Sequence, residues 1–537
     1  MTDGRKPLTR GDVDREIERL SHLDVVDFEL VREAKAEEFG LRVGVLEKLV
    51  KRKQTERRSA GGGEAEDDQD DDHEATRPPA FTDEALALKF AFEHRYNIRY
   101  VALWGKWLWY DGRRWAFDDT LNVFDRARET CRRAAADCND ERLGKILASA
   151  KTVAAVERLS KSDRRIAATV DQWDADPWLL NTPGGVVDLR TGVVRKHSAD
   201  DYMTKITAVT PDNAMPFPRF EAFLGRITGG DVEAQKFLNR LAGYALTGVT
   251  TEHAMAFFYG TGANGKSVIL DTLASILADY HATAPFETFA ASKNERHPTD
   301  VAGLQGARLV TTAETAEGRH WDETKLKQLT GGDRVKARFM RQDFFEFTPQ
   351  FKLFVAGNHK PSLRTVDEAI RRRLHLVPFS VTIPAAERDP QLKDKLRPEW
   401  PAILDWMVEG CLDWQEKGLN PPAAVVAASE AYLAEEDTFG RWLLERCDLD
   451  ANAWTSSAEL FRDFDQYARA GNEHAGTSKE FGSKLETQVG IVAQRVHAGR
   501  GYRGLKLKTE NAQTRPNIAL ERLPAQLARV RTMEKIQ

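Results

Sequence analysis

The sequence predicts an α/β protein. A domain built on a parallel sheet is preceded by a small mixed α/β domain and followed by a helix-rich module that ends in a glycine-rich hairpin. Three observations predict this. The apolar run 254–259 leads through a glycine loop into 268–277, where apolar residues recur at helical spacing. Three later apolar runs, at 309–312, 351–357 and 374–379, read as further strands of the same sheet. Upstream, short β-type segments around 100–117 and 178–194 are separated by turn residues.

The chain has 537 residues, enough for three or four domains at roughly 100–200 residues each. Charged residues make up 30%, yet the net charge is only −5. The average hides one acidic tract, so local patches and not the total must decide about nucleic acid. Four cysteines (Cys131, Cys138, Cys411, Cys447) form no CxxC pair, which fits reduced thiols in a cytoplasmic protein. No apolar run approaches the roughly 20 residues of a membrane span, and the N-terminus lacks a signal-peptide core. A cytoplasmic protein with no membrane contact is expected.

Residues 1–58 read as a small helical segment. Leu20, Leu23, Val26, Phe28, Leu41, Val43, Val45, Leu46 and Leu49 supply its apolar positions, and a basic run at 51–58 closes it. That run is either a nucleic-acid or partner contact or a solvated helix end. Residues 59–80 carry Gly61 to Glu74 and then Pro78 and Pro79, an acidic disordered linker with nothing to bury. The mixed domain spans 81–215. In it, 100–110 and 113–117 form a hairpin about Asp111-Gly112, and 178–194 forms a pair of short strands. Its aromatics could stack on bases, but a small mixed domain needs tryptophan as core, and most are read as core.

The sheet domain spans 216–420, with a helix from Leu238 toward Thr250 and an exit at Asn420-Pro421-Pro422. Its key stretch is Gly260, Thr261, Gly262, Ala263, Asn264, Gly265, Lys266 and Ser267. Backbone N–H groups of such a loop curl around a polyphosphate, and the helix behind adds the positive end of its dipole. Lys266 can reach the β- and γ-phosphates of ATP, and Ser267 can hold Mg²⁺. A bare glycine turn would explain neither flank. Four downstream features narrow the chemistry. Glu314 follows the strand 309–312, at the strand end where ligands of parallel sheets bind; there it can hold Mg²⁺ or polarise water. Residues 334–347 alternate Val335, Ala337 and Phe339 with Lys336 and Arg338 and turn near Arg341, a basic hairpin. Asn358 ends the strand 351–357 and can orient water. Arg371, Arg372 and Arg373 precede the strand 374–379 and can act on a neighbouring subunit's ATP. The last three features are each weak alone. Residues 435–510 read as a winged-helix DNA-binding module and 511–537 as a tail.

Together these motifs resemble the superfamily 3 helicases of the phage/plasmid and poxvirus-type primase-helicase group. The resemblance rests on Gly243-Tyr-Ala-Leu-Thr-Gly248, the phosphate loop with Asn264, Thr330-Gly-Gly-Asp333, Gly357-Asn-His-Lys-Pro361 and Asp367-Glu-Ala-Ile370 leading to Arg372-Arg373. Upstream, Asn181 to Gly192 looks like the helicase-associated N-terminal domain of that family. The resemblance implies an AAA+ fold in a ring, usually a hexamer, with ATP between subunits. By position Lys266, Ser267, Glu314 and Asn358 take the phosphate, Mg²⁺, catalytic-carboxylate and sensor roles. Arg372 and Arg373 match the arginine pair. Lys336, Arg338 and Arg341 would contact DNA in the pore, a single strand drawn from a duplex fork. The function the resemblance implies is ATP-dependent DNA unwinding in phage, prophage or plasmid replication, in the cytoplasm of a bacterial host.

Two departures stand out. Only about 80 residues precede the helicase-associated domain, less than a typical domain needs, so a helicase working with a separate primase or loader is expected. The carboxylate motif reads Thr312-Ala-Glu314-Thr315, with one acidic residue in place of two. The alternative function is an ATP-controlled DNA-binding initiator or ring scaffold without processive unwinding. A small-molecule kinase would leave the basic hairpin and flanking domains without purpose.

Overall fold

Continuous apolar runs bury both faces of a strand, the pattern of a parallel sheet covered by helices on each side. The computed structural model describes residues 16–21, 25–39, 78–292, 299–313, 319–341, 343–363, 366–471, 475–497 and 499–508, with positions 43, 45, 46, 49, 50, 53 and 473 beside them. Residues 1–85 and 86–537 form two compact units.

In the first unit, helix α1 (Val25–Glu38) contributes to a core of Ile17, Leu20, Ala36, Leu46 and Val50, with Phe28, Val43 and Leu49 packed against it. Of the apolar positions read from sequence, Val45 is instead exposed. Side-chain hydrogen bonds from Arg19 and then Lys35 hold the Glu16 carboxyl down at about 2. The acidic tract and, except for Lys53, the basic run lie outside the described residues.

The second unit starts within α2 (Asp83–His94). Strands β1 (Ile98–Val101), β2 (Lys106–Tyr110) and β3 (Trp115–Phe117) pair antiparallel, and β4 (Ala167–Ala168) joins β1 in parallel. The sequence suggests one strand over 100–110. The structure breaks it at 102–105, where Gly105 takes a φ of 62° and Trp104 and Gly105 close a turn on Val101 and Ala102. Helices α3 (Asn122–Asp137), α4 (Glu141–Leu147) and α5 (Ala150–Ser160) follow β3. Trp115, Trp173 and Tyr202 form the aromatic core on one sheet face, so most of the tryptophans pack as read. The segment 178–194 folds as three strands, β5 (Leu179–Thr182), β6 (Gly185–Asp188) and β7 (Val193–Arg195), in an antiparallel meander.

Helices α6 (Pro218–Ile227) and α7 (Val232–Leu246) lead into the large sheet. Helix α7 starts before the Leu238 expected from periodicity, because the Asp231 carboxylate caps the N–H groups of Glu233 and Ala234. The sheet contains β8 (Met255–Tyr259), β9 (His281–Thr283), β10 (Leu309–Ala313), β13 (Lys352–Gly357) and β14 (Leu374–Pro378). Its order is β14-β8-β13-β10-β9, and every pair is parallel. Between β10 and β13 stand helix α9 (Glu323–Thr330) and the small antiparallel pair β11 (Val335–Ala337) and β12 (Phe345–Phe347). Helix α8 (Lys266–Leu277) follows the glycine loop, and α10 (Trp400–Lys417) packs on α7. A Cβ at Gly243 would overlap the backbone of Gly410 and Cys411, so those two helices meet backbone to backbone.

Arg308 and Lys352 are buried in the core with no ion pair to a carboxylate among the described residues. Arg308 donates to Leu246 O and Leu179 O, each at 2.7 Å, and lies 4.6 Å from the Tyr280 ring. Lys352 donates to Thr247 O, to Thr247 Oγ1 at 3.0 Å and faces the Tyr244 ring at 4.5 Å. Burial lowers the pKa of both, that of Lys352 well below its ordinary value. Both satisfy carbonyls at the C-terminus of α7, where the dipole favours positive charge. Arg308 also ties the β5 meander to the large sheet. Arg308→Met is expected to strip the bonds from two buried carbonyls at about 1–3 kcal/mol each. Thermal unfolding should show a clear fall in midpoint; an unchanged midpoint would refute this role.

Beyond α11 (Ala423–Glu436), helix α12 (Thr438–Arg446), strand β15 (Cys447–Ser456), helices α13 (Ser457–Ala470) and α14 (Ser478–Glu486) and strands β16 (Val492–Val496) and β17 (Gly499–Leu507) form a terminal module. Its sheet order is β15-β17-β16, over a core that includes Phe439, Trp442, Phe464, Phe481 and Tyr502. The strand read at 505–507 is the end of the longer β17. Residues 509–537 lie outside the described residues.

Candidate functional site

The C-terminal end of β8 delivers the chain into the glycine loop, and its side chains are set by close packing. A Cβ at Gly260 would overlap Asn264 and Phe379 O. Gly265 has a φ of 85°, and a Cβ there would enter Ile227 and Phe223 of α6. Asn264 is buried and donates to Phe379 O at 3.2 Å, which pins the loop to the chain leaving β14. Ile383 N donates to Ala263 O at 2.8 Å, a second tie. The loop is thus a rigid cradle of small residues ending at the N-terminus of α8.

Lys266 begins that helix. Its side chain is buried, and Nζ donates to Gly260 O at 2.7 Å and to Asn358 Oδ1 at 3.3 Å. Burial lowers its pKa. An ammonium with only neutral acceptors in a desolvated cradle favours an anion beside it. Ser267 is exposed at the first turn of α8, and Thr261 and Ala263 are exposed on the loop. These residues fit a triphosphate: a buried cation, a helix N-terminus and a loop that side chains would fill.

Asn358 follows β13, the immediate neighbour of β8, with Gly357 opposite Tyr259. Parallel pairing therefore brings Lys266 and Asn358, 92 residues apart, into hydrogen-bond contact. Strand β10 lies one strand further, with Ala313 opposite Ala356. Glu314 itself lies outside the described residues. Lys360 was not singled out in the sequence; it lies 5.1 Å from the Tyr259 ring and 5.6 Å from that of Tyr432. Its place within Gly357-Asn-His-Lys-Pro361 was the available signal.

The arginines separate. Arg373 is 6% exposed; its Nε donates to Thr330 Oγ1 at 3.2 Å and its Nη1 to Ala369 O at 2.7 Å. Burial, and then the charge of Arg372, lower its pKa. Arg372 is exposed and makes no ion pair among the described residues. Arg371 is exposed and pairs with Glu368 at 3.6 Å.

The β11–β12 hairpin alternates as expected, with Val335 and Ala337 buried and Lys336 exposed. Arg341 is exposed near its tip at a φ of 61°. The register also sets an aromatic beneath the cations: Lys336 Nζ and Arg338 Cζ lie 5.0 and 4.6 Å from the Phe344 ring. Phe339, expected on the inner face, is 39% exposed and stacks on Phe345. The hairpin tip is therefore both basic and apolar.

The structure thus sets the loop lysine beside a strand-end asparagine at the C-terminal edge of one parallel sheet, with a separate basic antiparallel hairpin between β10 and β13 in the chain. Comparison with known proteins narrows the class. Residues 87–229 match the family described as D5 N terminal like, and residues 258–373 a family of unknown function, DUF5906. "Putative helicase L207/L206" of Acanthamoeba polyphaga mimivirus is 27% identical over 38% of this chain and 22% of its own length. "Putative helicase 022R" of Frog virus 3 is 24% identical over 50% of this chain and 30% of its own length. The matches thus span less than a third of these relatives. Structures of the NrS-1 C-terminal region superpose with TM-scores of 0.43 and 0.44 at 9% and 10% identity; they cover 78% and 79% of this chain and 98% and 100% of that region. The D5 N-terminal-like match over 87–229 and the putative-helicase relatives thus point the same way as the motif resemblance to the primase-helicases. Among the described residues, no helix is long and apolar enough to cross a membrane.

Proposed function

We propose that this chain is a superfamily 3, AAA+-type DNA helicase that uses ATP hydrolysis to move along DNA and unwind it during replication. The observation that carries the reading is the contact of Lys266 with Asn358 at the C-terminal edge of the parallel sheet. The loop N–H groups and the start of α8 bind the triphosphate, and Lys266 turns from Gly260 O to the phosphates. Ser267 and Glu314 would hold Mg²⁺, which neutralises charge developing on the transferred phosphoryl group. Glu314 polarises the attacking water and Asn358 orients it. Arg372 acts on the ATP of the neighbouring subunit in a ring, which we take to be a hexamer.

The hairpin converts hydrolysis into movement. Its place in the chain between β10 and Asn358 links DNA contact to the strands that carry the catalytic groups. Lys336, Arg338 and Arg341 bind phosphates of a single strand, and Phe344 offers a ring to the bases. The helix–strand–helix–helix–strand–strand order of the terminal module supports a winged-helix DNA-binding role there. A separate primase or loader remains part of the proposal. The relatives named above come from viruses of an amoeba and a frog, so they give no support to a bacterial host.

The Lys336→Ala/Arg338→Ala variant tests the hairpin assignment. It is expected to keep its DNA-independent hydrolysis and lose most of the stimulation by single-stranded DNA. Its binding should also depend less steeply on salt, by roughly 0.7 in log–log slope per lost phosphate contact. Full stimulation with an unchanged salt slope would remove the hairpin from the DNA path.

A further inference from the structure

A second combination of cations and aromatic rings lies far from the hairpin in sequence, at the C-terminal end of α2 in the D5 N-terminal-like region. Phe92 lies in the last turn of α2 and Tyr96 in the turn that follows the helix, and they are 51% and 68% exposed. Both values are high for large rings. The Arg95 guanidinium lies against both of them, its Cζ 3.9 Å from the Phe92 centroid and 4.3 Å from that of Tyr96. Arg95 Nη1 donates to Phe92 O at 2.5 Å, and the arginine has no carboxylate partner among the described residues. Lys89, three residues before Phe92 on α2, lies on the same helical face as Phe92 and is exposed. Arg165 approaches Phe92 from the loop after α5 at 6.0 Å, beside an exposed Arg164.

Two carboxylates of the neighbouring sequence are already paired. Glu93 pairs with Arg133 at 2.8 Å and Asp163 with Arg165 at 2.7 Å. The face thus keeps positive charge next to open rings. An apolar protein partner would have to desolvate Arg95 and Lys89 without compensation. Single-stranded nucleic acid satisfies both features, since bases stack on rings and guanidinium planes while phosphates meet the cations. Duplex DNA, with its bases already stacked, uses only the charge.

We propose that Phe92, Arg95 and Tyr96, with Lys89 and Arg164 beside them, form a base-stacking platform for single-stranded DNA outside the hairpin path. This rests on the DNA reading above and extends it to a second contact. The platform would hold a strand before it enters, or after it leaves, the motor. Because stacking tolerates any base, it would be sequence-independent.

The test uses the full chain and a fluorescein-labelled oligothymidylate carrying bromodeoxyuridine. Anisotropy measures affinity, and photo-crosslinking followed by peptide mapping locates the contact. Phe92→Ala/Tyr96→Ala is expected to bind at least roughly tenfold more weakly than wild type, with its thermal midpoint unchanged. Phe92→Tyr/Tyr96→Phe, which keeps the rings, should bind like wild type. Wild type should yield a crosslinked peptide containing Phe92 or Tyr96. If the double alanine variant binds like wild type and crosslinks map only to the hairpin peptide, the platform is overturned while the DNA reading stands. If no form of the protein binds the oligonucleotide, both are overturned.

Discussion

Lys266→Ala is expected to hydrolyse ATP at less than about a hundredth of the wild-type rate, the scale of loss when one preorganised charge-stabilising donor is removed. The side chain sits in a desolvated cradle and is bonded only to the neutral oxygens of Gly260 and Asn358. Its charge is therefore free to meet a phosphate. The alanine variant should fold. The loop keeps its ties from Asn264 to Phe379 O and from Ile383 N to Ala263 O. Steady-state hydrolysis and a thermal midpoint, measured together, separate loss of chemistry from loss of structure. Normal turnover by the variant would remove the loop from the mechanism.

The adjacent arginines should fail in different ways. Arg372→Ala is expected to lose roughly 10³–10⁵ in hydrolysis, the worth of an arginine acting across a subunit interface, while still binding ATP. Its exposure, with no ion pair among the described residues, fits a group that acts on a neighbour. Arg373→Ala should instead lose stability. Its guanidinium bonds Thr330 Oγ1 and Ala369 O, and its backbone O accepts from Met255 N at 2.8 Å, so it joins the starts of β14 and β8 to α9. Loss of the guanidinium bonds, with the backbone bond kept, is expected to cost about 1–3 kcal/mol. Mixing Arg372→Ala with Glu314→Gln subunits should restore part of the hydrolysis, because some interfaces then carry both intact groups. No recovery at any ratio would rule out action in trans.

Much of this site was legible because its signals are local. The apolar run of β8, the glycines after it and the helical spacing beyond lie within 24 residues, and the structure places strand, loop and helix there. The hairpin at 335–347 was equally readable, since alternation and a turn need no distant partner. Features that depend on pairing were not. Nothing along the chain says that β13 lies directly beside β8, which is what joins Asn358 to Lys266. The burial of Arg308 and Lys352 contradicts their residue type and follows only from the unpaired carbonyls of α7. Arg372 and Arg373 read alike, yet they differ in burial because they form the two-residue connection between the end of the short helix 368–371 and the start of β14. Around 102–105 and 178–194 the extended pattern continues through turns, so strand count was underestimated.

Unwinding of a forked DNA duplex with ATP and Mg²⁺, comparing wild type with Lys266→Ala, tests the central claim most directly. The account predicts strand separation by wild type alone, lost when ATP is omitted. Wild type that hydrolyses ATP and binds the fork but leaves it intact, with or without an added loading factor, would contradict a motor and favour an ATP-controlled initiator or ring scaffold.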